Sequence, residues 1–205
     1  MLQNQVGAVK SLERLHDLKV ILIGDENDIN PYLQTIDSTI LKRIEIIHTN
    51  EYIKMDEDIL TAIRNKKNSS MRLAINSVKN RDSHACVSAG NTGALMSLSK
   101  IILKTIEGID RPAICTSLPT KKKFMQVLDL GANIECNAEN LFQFAVMGSS
   151  VVQSLEISSN PRVGLLNIGS EDFKGKDEIK LAAEMLNDSN INYIGFVEGN
   201  GMFSG

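Results

Sequence analysis

The sequence contains no tryptophan and few tyrosines, phenylalanines, histidines or cysteines. Proteins that grip single-stranded nucleic acids stack bases on aromatic side chains, so this shortage argues against such a role. The net charge of −3 also argues against general nucleic-acid binding. The histidines are isolated and the cysteines form no C-x-x-C pair, which argues against a metal site and favours a reducing compartment: His16, His48, His84, Cys86, Cys115 and Cys136.

Long hydrophobic runs are also lacking. No stretch approaches the roughly 18 apolar residues of a membrane-spanning helix. The first residues are polar, and no apolar segment typical of a signal peptide follows them. We therefore expect a cytoplasmic protein. The length of 205 residues and the 42% hydrophobic content predict one domain, over residues 1–205, with a sizeable core.

Short apolar runs alternate with helical patterns along the whole chain. This alternation predicts the α/β class, with a mainly parallel sheet flanked by helices. The predicted strands are 20–23, 44–47, 84–88, 113–118, 125–130, 163–168 and 193–197. The predicted helices are one ending near 17, a short one opening at 30–31, and 55–67, 70–78, 92–105, 139–155 and 177–186.

The most informative stretch is the run 85–93, where a predicted strand leads through small residues into a helix. Backbone N–H groups at such a helix start can bind phosphate or another oxyanion. Gly90 and Gly93 would let the backbone bend and let the anion come close, while three polar side chains could add donors: Ser88, Asn91 and Thr92. The alternative is an ordinary capped helix, with Asn91 or Thr92 as the N-cap.

Two further predicted strands end in glycine and small polar residues, at 129–133 and 167–170. Ligands of open α/β sheets bind at the carboxyl ends of strands. Three such ends could converge on one crevice, which is a stronger signal than one end alone.

Other nucleotide and nucleophile motifs do not fit. No G-x-G-x-x-G lies between a strand and a helix, and no G-x-S-x-G elbow occurs. The run 169–176 resembles a Walker loop but has one residue too many, and Asp177 stands where Ser or Thr should bind Mg²⁺. Cys86 lies in an apolar run, which favours a structural thiol over a nucleophile. Lys174 and Lys176 follow a predicted strand end, where a lysine is either solvated or brings a cation to a bound anion.

Several blocks, taken in order, resemble the acyl-carrier-protein-dependent phosphate acyltransferases, the PlsX family. The resemblance spans essentially the whole chain and is clearest after residue 71. The matching blocks are 85–96 (ACVSAGNTGALM), 107–113 (EGIDRPA), 128–133 (LDLGAN), 143–148 (QFAVMG), 160–169 (NPRVGLLNIG) and 192–200 (NYIGFVEGN). The family's opening strand with its Asp-x-Met-Gly-Gly-Asp loop, and a later Asp-Gly-Phe-x-Gly-Asn block, have no counterpart here. The resemblance thus implies a three-layer Rossmann-like fold, like that of isocitrate and isopropylmalate dehydrogenases, incomplete at both ends.

The resemblance implies transfer of a fatty acyl group from acyl carrier protein to inorganic phosphate, giving acyl phosphate for phospholipid synthesis. It implies no cofactor and no metal. By this reading Lys174 neutralises developing charge or the leaving thiolate, and Lys176 is the second candidate. Asp129 and Asn133 orient the phosphate group or the loops around it. The expected substrate-binding set is Ser88, Gly90, Asn91, Thr92, Gly93, Asp129, Gly131, Asn133, Asn167 and Gly169.

The implied partners are acyl carrier protein, inorganic phosphate and a second copy of the chain, and the resemblance allows peripheral association with a membrane. Acyl carrier protein is acidic, so Arg111 with Lys121, Lys122 and Lys123 forms a candidate landing patch, the alternative being a solvated loop. The predicted helix 139–155 is apolar nearly all round, so it either lines an acyl groove, packs a dimer partner or belongs to the core. Three alternatives to an active acyltransferase remain: an inactive truncated remnant, a phosphotransacetylase-like enzyme and a decarboxylating dehydrogenase.

Overall fold

The computed structural model describes residues 2–131, 133, 135–167 and 177–204, with side chains from residue 6 onwards. Contacts divide the chain into two compact units, residues 1–104 and 105–205. Each unit has its own core, and the two are described separately; the single domain over 1–205 stays a prediction.

The first unit combines one parallel strand pair with six helices among its described residues. Strands β1 and β2 pair in parallel, with Val20 opposite Ile44 and Gly24 opposite His48. The elements are α1 (Leu2–Arg14), β1 (Val20–Gly24), α2 (Glu26–Leu33), α3 (Ser38–Leu41), β2 (Ile44–His48), α4 (Ile59–Asn65), α5 (Ser70–Asn80) and α6 (Thr92–Leu103).

Two hydrophobic clusters support the first unit. The smaller one packs α1 and α2 on the strand pair, through buried Val9, Ile29 and Leu33. The larger one joins α4, α5 and α6 and includes the fully buried Ile75 and Leu98. Helix α6 therefore stands on a packed core, and that core fixes the position of the turn that precedes it.

The second unit contains two strand pairs and three helices in its described part. Strands β3 and β4 form an antiparallel hairpin, with Cys115 opposite Leu128, whereas β5 and β6 are parallel. The elements are β3 (Cys115–Pro119), β4 (Phe124–Leu128), α7 (Ala138–Ser154), β5 (Val163–Leu166), α8 (Asp177–Asn187), β6 (Tyr193–Val197) and α9 (Gly199–Met202).

Small residues let α7 approach its neighbours closely. Buried Ala145 lies in one cluster with Ala182 and Ala183 of α8. A methyl group at Gly148 would lie 2.8 Å from Cδ1 of Leu128 on β4. One side of α7 is therefore core of this unit, as one of the alternatives for this helix predicted.

The structure confirms the α/β class, but one predicted strand is wrong. Residues 84–88 form irregular backbone, and no strand pairs with them in the described part of the chain. Only Cys86 of this run packs against the core of its unit, while Val87 is 92% exposed. A run with one packed side chain and no neighbouring strand gains too little free energy from packing and backbone hydrogen bonds to form a strand.

Two helices begin at other residues than the apolar pattern predicts, because an aspartate side chain caps each of them. Helix α2 begins at Glu26, not near 30, since the Asp25 carboxylate accepts the N–H of Asn27 at 2.9 Å. Helix α4 begins at Ile59, not at 55, since Asp58 accepts the N–H of Thr61 at 2.8 Å.

Two predicted elements end early because a left-handed residue follows them. Helix α6 ends at Leu103, before Lys104 with φ of 71°, and β4 ends at Leu128, before Asp129 with φ of 64°. The short helix α9 had not been expected among the glycines near residue 200.

Candidate functional site

The predicted turn before α6 forms, and its Asn91 side chain ties it together. Asn91 is the N-cap: its Oδ1 accepts the N–H of Ala94 at 3.0 Å. Its Nδ2 donates to the carbonyl oxygen of Met55 at 3.0 Å. Just before it, Ser88 Oγ accepts the N–H of Gly90 at 3.2 Å. One amide thus both caps the helix and fastens the turn to a segment 36 residues earlier.

The two glycines of this turn serve close packing rather than left-handed backbone. Of the described glycines, those with positive φ are Gly108, Gly131 and Gly195. A methyl group at Gly93 would lie 2.6 Å from Cδ1 of Ile59, and one at Gly90 would lie 3.1 Å from Cε of Met71.

The segment under the turn is held by an ion pair. Lys66 Nζ lies 2.6 Å from Glu57 Oε2 and donates to the carbonyl oxygen of Tyr52 at 2.7 Å. The hydrogen bond from Lys66 lowers the pKa of Glu57, and the N–H of Lys54 adds to the effect. These contacts fix the strip of backbone that offers the Met55 carbonyl to Asn91, a support that the sequence analysis missed.

The second predicted loop, after β4, is built around the Asp129 carboxylate. Asp129 Oδ1 accepts the backbone N–H of Asn133 at 3.3 Å and its Nδ2 at 2.9 Å. Asp129 Oδ2 accepts the thiol of Cys136 at 3.2 Å. The backbone N–H of Asp129 donates to Ile114 at 2.9 Å, and Asn133 Nδ2 also reaches the carbonyl oxygen of Pro112 at 3.2 Å.

Cys136 is the site residue that sequence reasoning missed. Burial is the largest cause that raises the pKa of this thiol to about 11, and the hydrogen bond and negative charge of Asp129 add to it. Arg111 acts in the opposite direction and donates through Nη1 to the carbonyl oxygen of Glu135 at 3.2 Å. The sequence pattern carries no signal for this contact, since the contact depends on how the folded chain returns to Asp129 seven residues later.

The third predicted loop is only partly described. Asn167 is buried, and its backbone N–H donates to the carbonyl oxygen of Val197 at 3.0 Å, directly after β5. Gly169, Lys174 and Lys176 lie outside the described residues. Their proposed roles stay predictions.

The four basic residues of the candidate landing patch lie in two places. Lys121, Lys122 and Lys123 are exposed at the turn of the β3–β4 hairpin. Arg111 precedes β3, beyond the open end of the hairpin. The paired strands alone separate the two ends by about 14 Å at the usual rise per residue. The structure therefore brings the three lysines together but not Arg111 with them.

The structure assembles the predicted residues within loops, and the convergence of loops stays a prediction. One turn of the first unit carries Ser88, Gly90, Asn91, Thr92 and Gly93. The second unit carries Asp129, Gly131 and Asn133 in one loop. Within the described part of the chain, no three His, Cys, Asp or Glu residues are placed to hold a metal ion. No helix found there is long and apolar enough to cross a membrane.

Two solved structures share the fold of this chain. A phosphotransacetylase from Staphylococcus aureus, EutD, superposes with a TM-score of 0.57 at 16% identity, over 94% of this chain and 63% of that one. A branched-chain phosphotransacylase from Enterococcus faecalis V583 gives 0.56 at 14% identity, over the same shares. These likenesses show a Rossmann-like α/β fold.

Sequence relatives are far more similar. A protein named "Phosphate acyltransferase" from Methylococcus capsulatus is 48% identical over 198 residues, and one of the same name from Shewanella baltica is 49% identical over 200. Each match covers 97% of this chain and 58% of the relative, so the chain spans somewhat more than half the length of these proteins. The sequence model of a family described as "Fatty acid synthesis protein" matches residues 4–205. The chain belongs to this family of fatty acid synthesis proteins.

Proposed function

We propose that this chain carries the phosphate-binding part of a phosphate acyltransferase that moves a fatty acyl group from acyl carrier protein to inorganic phosphate. The observation that carries the proposal is the 48% identity, along 97% of the chain, to proteins named phosphate acyltransferase. In the reaction a phosphate oxygen attacks the thioester carbonyl carbon. The new C–O bond forms, the C–S bond breaks, and the carrier's thiolate leaves and takes up a proton. The product is acyl phosphate.

The geometry of the Asn91 turn supports this chemistry. Phosphate is already an anionic nucleophile near neutral pH, so the site needs to bind and orient it more than to deprotonate it. The turn opens a 12-residue helix, whose N-terminal end favours an anion. Asn91 is tied to Ala94 and Met55, so the turn is ordered before any ligand arrives. Such preorganised donors can also stabilise the oxyanion that forms at the carbonyl carbon.

Lys174 is proposed to neutralise charge on the phosphate or on the leaving thiolate. Lys176, two residues later, is the matched comparison, since it has the same charge and nearly the same place in the sequence. In the natural polypeptide that carries this segment, Lys174→Ala should lower kcat by at least about 100-fold, as expected for a lost charge at the reacting centre. Lys176→Ala should change kcat by less than about threefold. Equal losses of kcat in the two variants would show that Lys174 has no special role.

The proposed carrier-protein contact rests on the exposed lysines of the hairpin turn. Exchange of Lys121, Lys122 and Lys123 for glutamine should raise KM for the acyl carrier protein thioester, and the wild-type KM should rise with salt, as for any charge-steered encounter. Arg111→Gln should have a smaller effect on this KM, because Arg111 lies beyond the other end of the hairpin. A homodimer in the cytoplasm, with peripheral membrane contact, completes the proposal by resemblance to the family.

The decisive experiment measures acyl phosphate formed from long-chain acyl carrier protein and radiolabelled phosphate. We expect the natural polypeptide to form acyl phosphate, and we expect this turnover to be abolished when phosphate is omitted. Turnover with acetyl coenzyme A instead of the carrier thioester would favour a phosphotransacetylase-like enzyme, which the two structural likenesses make the second candidate. No turnover with either donor, at saturating phosphate, would indicate the inactive remnant and overturn the proposal. In that case, a missing thermal shift with phosphate would show that the binding site is absent as well.

A further inference from the structure

The Asp129 carboxylate receives three donors from the stretch that follows it. The backbone N–H and Nδ2 of Asn133 reach one oxygen, and the thiol of Cys136 reaches the other, at 3.2 Å. Asp129 has a left-handed backbone, with φ of 64°, and so has Gly131 two residues later, with φ of 79°. A non-glycine residue holds such a conformation only where its surroundings determine it.

We propose that Cys136 and Asn133 are positioning residues that act through Asp129, holding its carboxylate so that the turn 129–131 keeps the shape needed to bind phosphate. This inference rests on the proposed function and deepens it. In this arrangement Asp129 does not bind the anion. It fixes the loop, and the backbone of the turn faces the ligand.

The charge of Asp129 is the reason for this assignment. A carboxylate beside a phosphate repels it, and the repulsion grows where water is excluded. Three donors on its two oxygens offset part of that negative charge and occupy three of the roughly four lone-pair sites that a general base would use. The contacts of Asp129 therefore suit a structural anchor and do not suit a proton acceptor.

The thiol of Cys136 acts here as a neutral donor. Burial and the neighbouring Asp129 raise the pKa of Cys136 to about 11, so the proton needed for the contact stays on sulfur at neutral pH. The charged groups that act on this thiol are Asp129, which favours the protonated form, and Arg111, which opposes it. Serine at this position can donate the same hydrogen bond, whereas alanine cannot.

The contact can be tested without any activity assay. The rate of Cys136 alkylation by iodoacetamide, followed by peptide mass spectrometry from pH 7 to 11, should rise with a midpoint well above 9.0, the usual pKa of a thiol. Asp129→Asn should then speed alkylation of Cys136 at pH 8 by about tenfold, one pKa unit, since the thiolate is no longer repelled. Cys115, on β3, serves as the internal control and should keep its rate. An ordinary midpoint in the wild type, which needs no variant to fold, overturns the contact.

The positioning role is tested by kinetics in the natural polypeptide. Cys136→Ala should raise KM for phosphate about tenfold, the equivalent of one lost hydrogen bond to a charged group, and leave kcat within about threefold. Cys136→Ser should restore KM to within about threefold of the wild type, because the donor is retained. If Cys136→Ala is active and its KM for phosphate is unchanged, the positioning role is overturned. Absence of wild-type turnover overturns the proposed function instead, and the alkylation result still decides whether the contact exists.

Discussion

The turn before α6 and the loop after β4 are each tied by one side chain, but the two side chains differ in charge. Neutral Asn91 bridges the N–H of Ala94 and the carbonyl oxygen of Met55. The Asp129 carboxylate accepts hydrogen bonds from Asn133 and Cys136. The first turn relies on a helix cap and on glycines packed against Ile59 and Met71, whereas the second relies on left-handed backbone.

The difference shows two ways in which a chain can order a loop that we propose to bind an anion. At a helix start the backbone itself attracts the anion, so a neutral cap is sufficient and leaves the local charge favourable. In the loop after β4 no helix begins at the turn, and Asp129 must be held in an unfavourable conformation. A carboxylate can do this because it accepts several donors at once, but only if those donors offset its charge.

Asp129→Ala should have the largest effect on this comparison. It removes the acceptor of three hydrogen bonds and puts alanine into left-handed backbone, so we expect a loss of about 3 kcal/mol of local stability. Hydrogen-exchange mass spectrometry should show faster exchange in peptides covering 112–136 and unchanged exchange at 88–94. Asp129→Asn, which retains one carbonyl oxygen for Asn133, is the matched control and should lose less. Equal exchange in wild type and Asp129→Ala would show that the carboxylate does not hold the loop.

Asn91→Ala should have the next largest effect on local stability, and this effect should be confined to the turn before α6. It removes the cap of α6 and the bond to Met55, which together contribute about 2 kcal/mol. Asn91→Asp retains the cap acceptor but loses the amide donor, so its stability should lie between those of wild type and Asn91→Ala. It also adds a negative charge, so its affinity for phosphate should fall below that of Asn91→Ala. A higher affinity in Asn91→Asp than in Asn91→Ala would argue against an anion at this turn.

The Asn91 turn could be predicted from the sequence because its main contact is local. A polar residue three positions before Ala94, followed by an apolar helical pattern, is the usual signature of an N-cap. The contact with Met55 could not be predicted, since it depends on where a segment 36 residues away lies. The same limit applies to Cys136, whose donor role follows from the folded path of the loop alone.

The errors in the predicted elements have local physical reasons. The antiparallel pairing of β3 with β4, which the sequence analysis did not predict, was recoverable: only four residues join Pro119 to Phe124, and parallel strands need a connection of a dozen or more. The starts of α2 and α4 were recoverable too, from Asp25 and Asp58. The irregular run 84–88 was not, because an apolar pattern shows that residues can pair but not whether a neighbouring strand is there.

The same substitution at one glycine of each loop sharpens the comparison further. Gly131→Ala should cost about 1 kcal/mol, because φ is 79° although the space around it is open. Gly131→Asn should cost less, since asparagine tolerates this conformation better. Gly90→Ala would place its methyl group 3.1 Å from the flexible tip of Met71 and 3.3 Å from Ser88 Oγ, contacts that need shifts of only a few tenths of an ångström, so the cost should stay below about 0.5 kcal/mol. Urea denaturation of the three variants tests the order, and a larger loss at Gly90 than at Gly131 would contradict it.

The last expected effect is absent at neutral pH and appears only above about pH 9, as a pH dependence of stability to which the Cys136 thiol of the second loop contributes. The pKa of the Cys136 thiol is raised from its usual value of 9.0 to about 11, so between these pH values the folded chain retains a proton that the unfolded chain has released. Stability from this group is therefore fully present below pH 9 and decreases as the pH rises toward 11. Urea midpoints measured from pH 7 to 11 should fall more steeply for the wild type than for Cys136→Ser, which has no thiol to ionise. Identical slopes in the wild type and Cys136→Ser would mean that the thiol titrates alike in the folded and unfolded chain, and Asp129 would then be held by Asn133 alone.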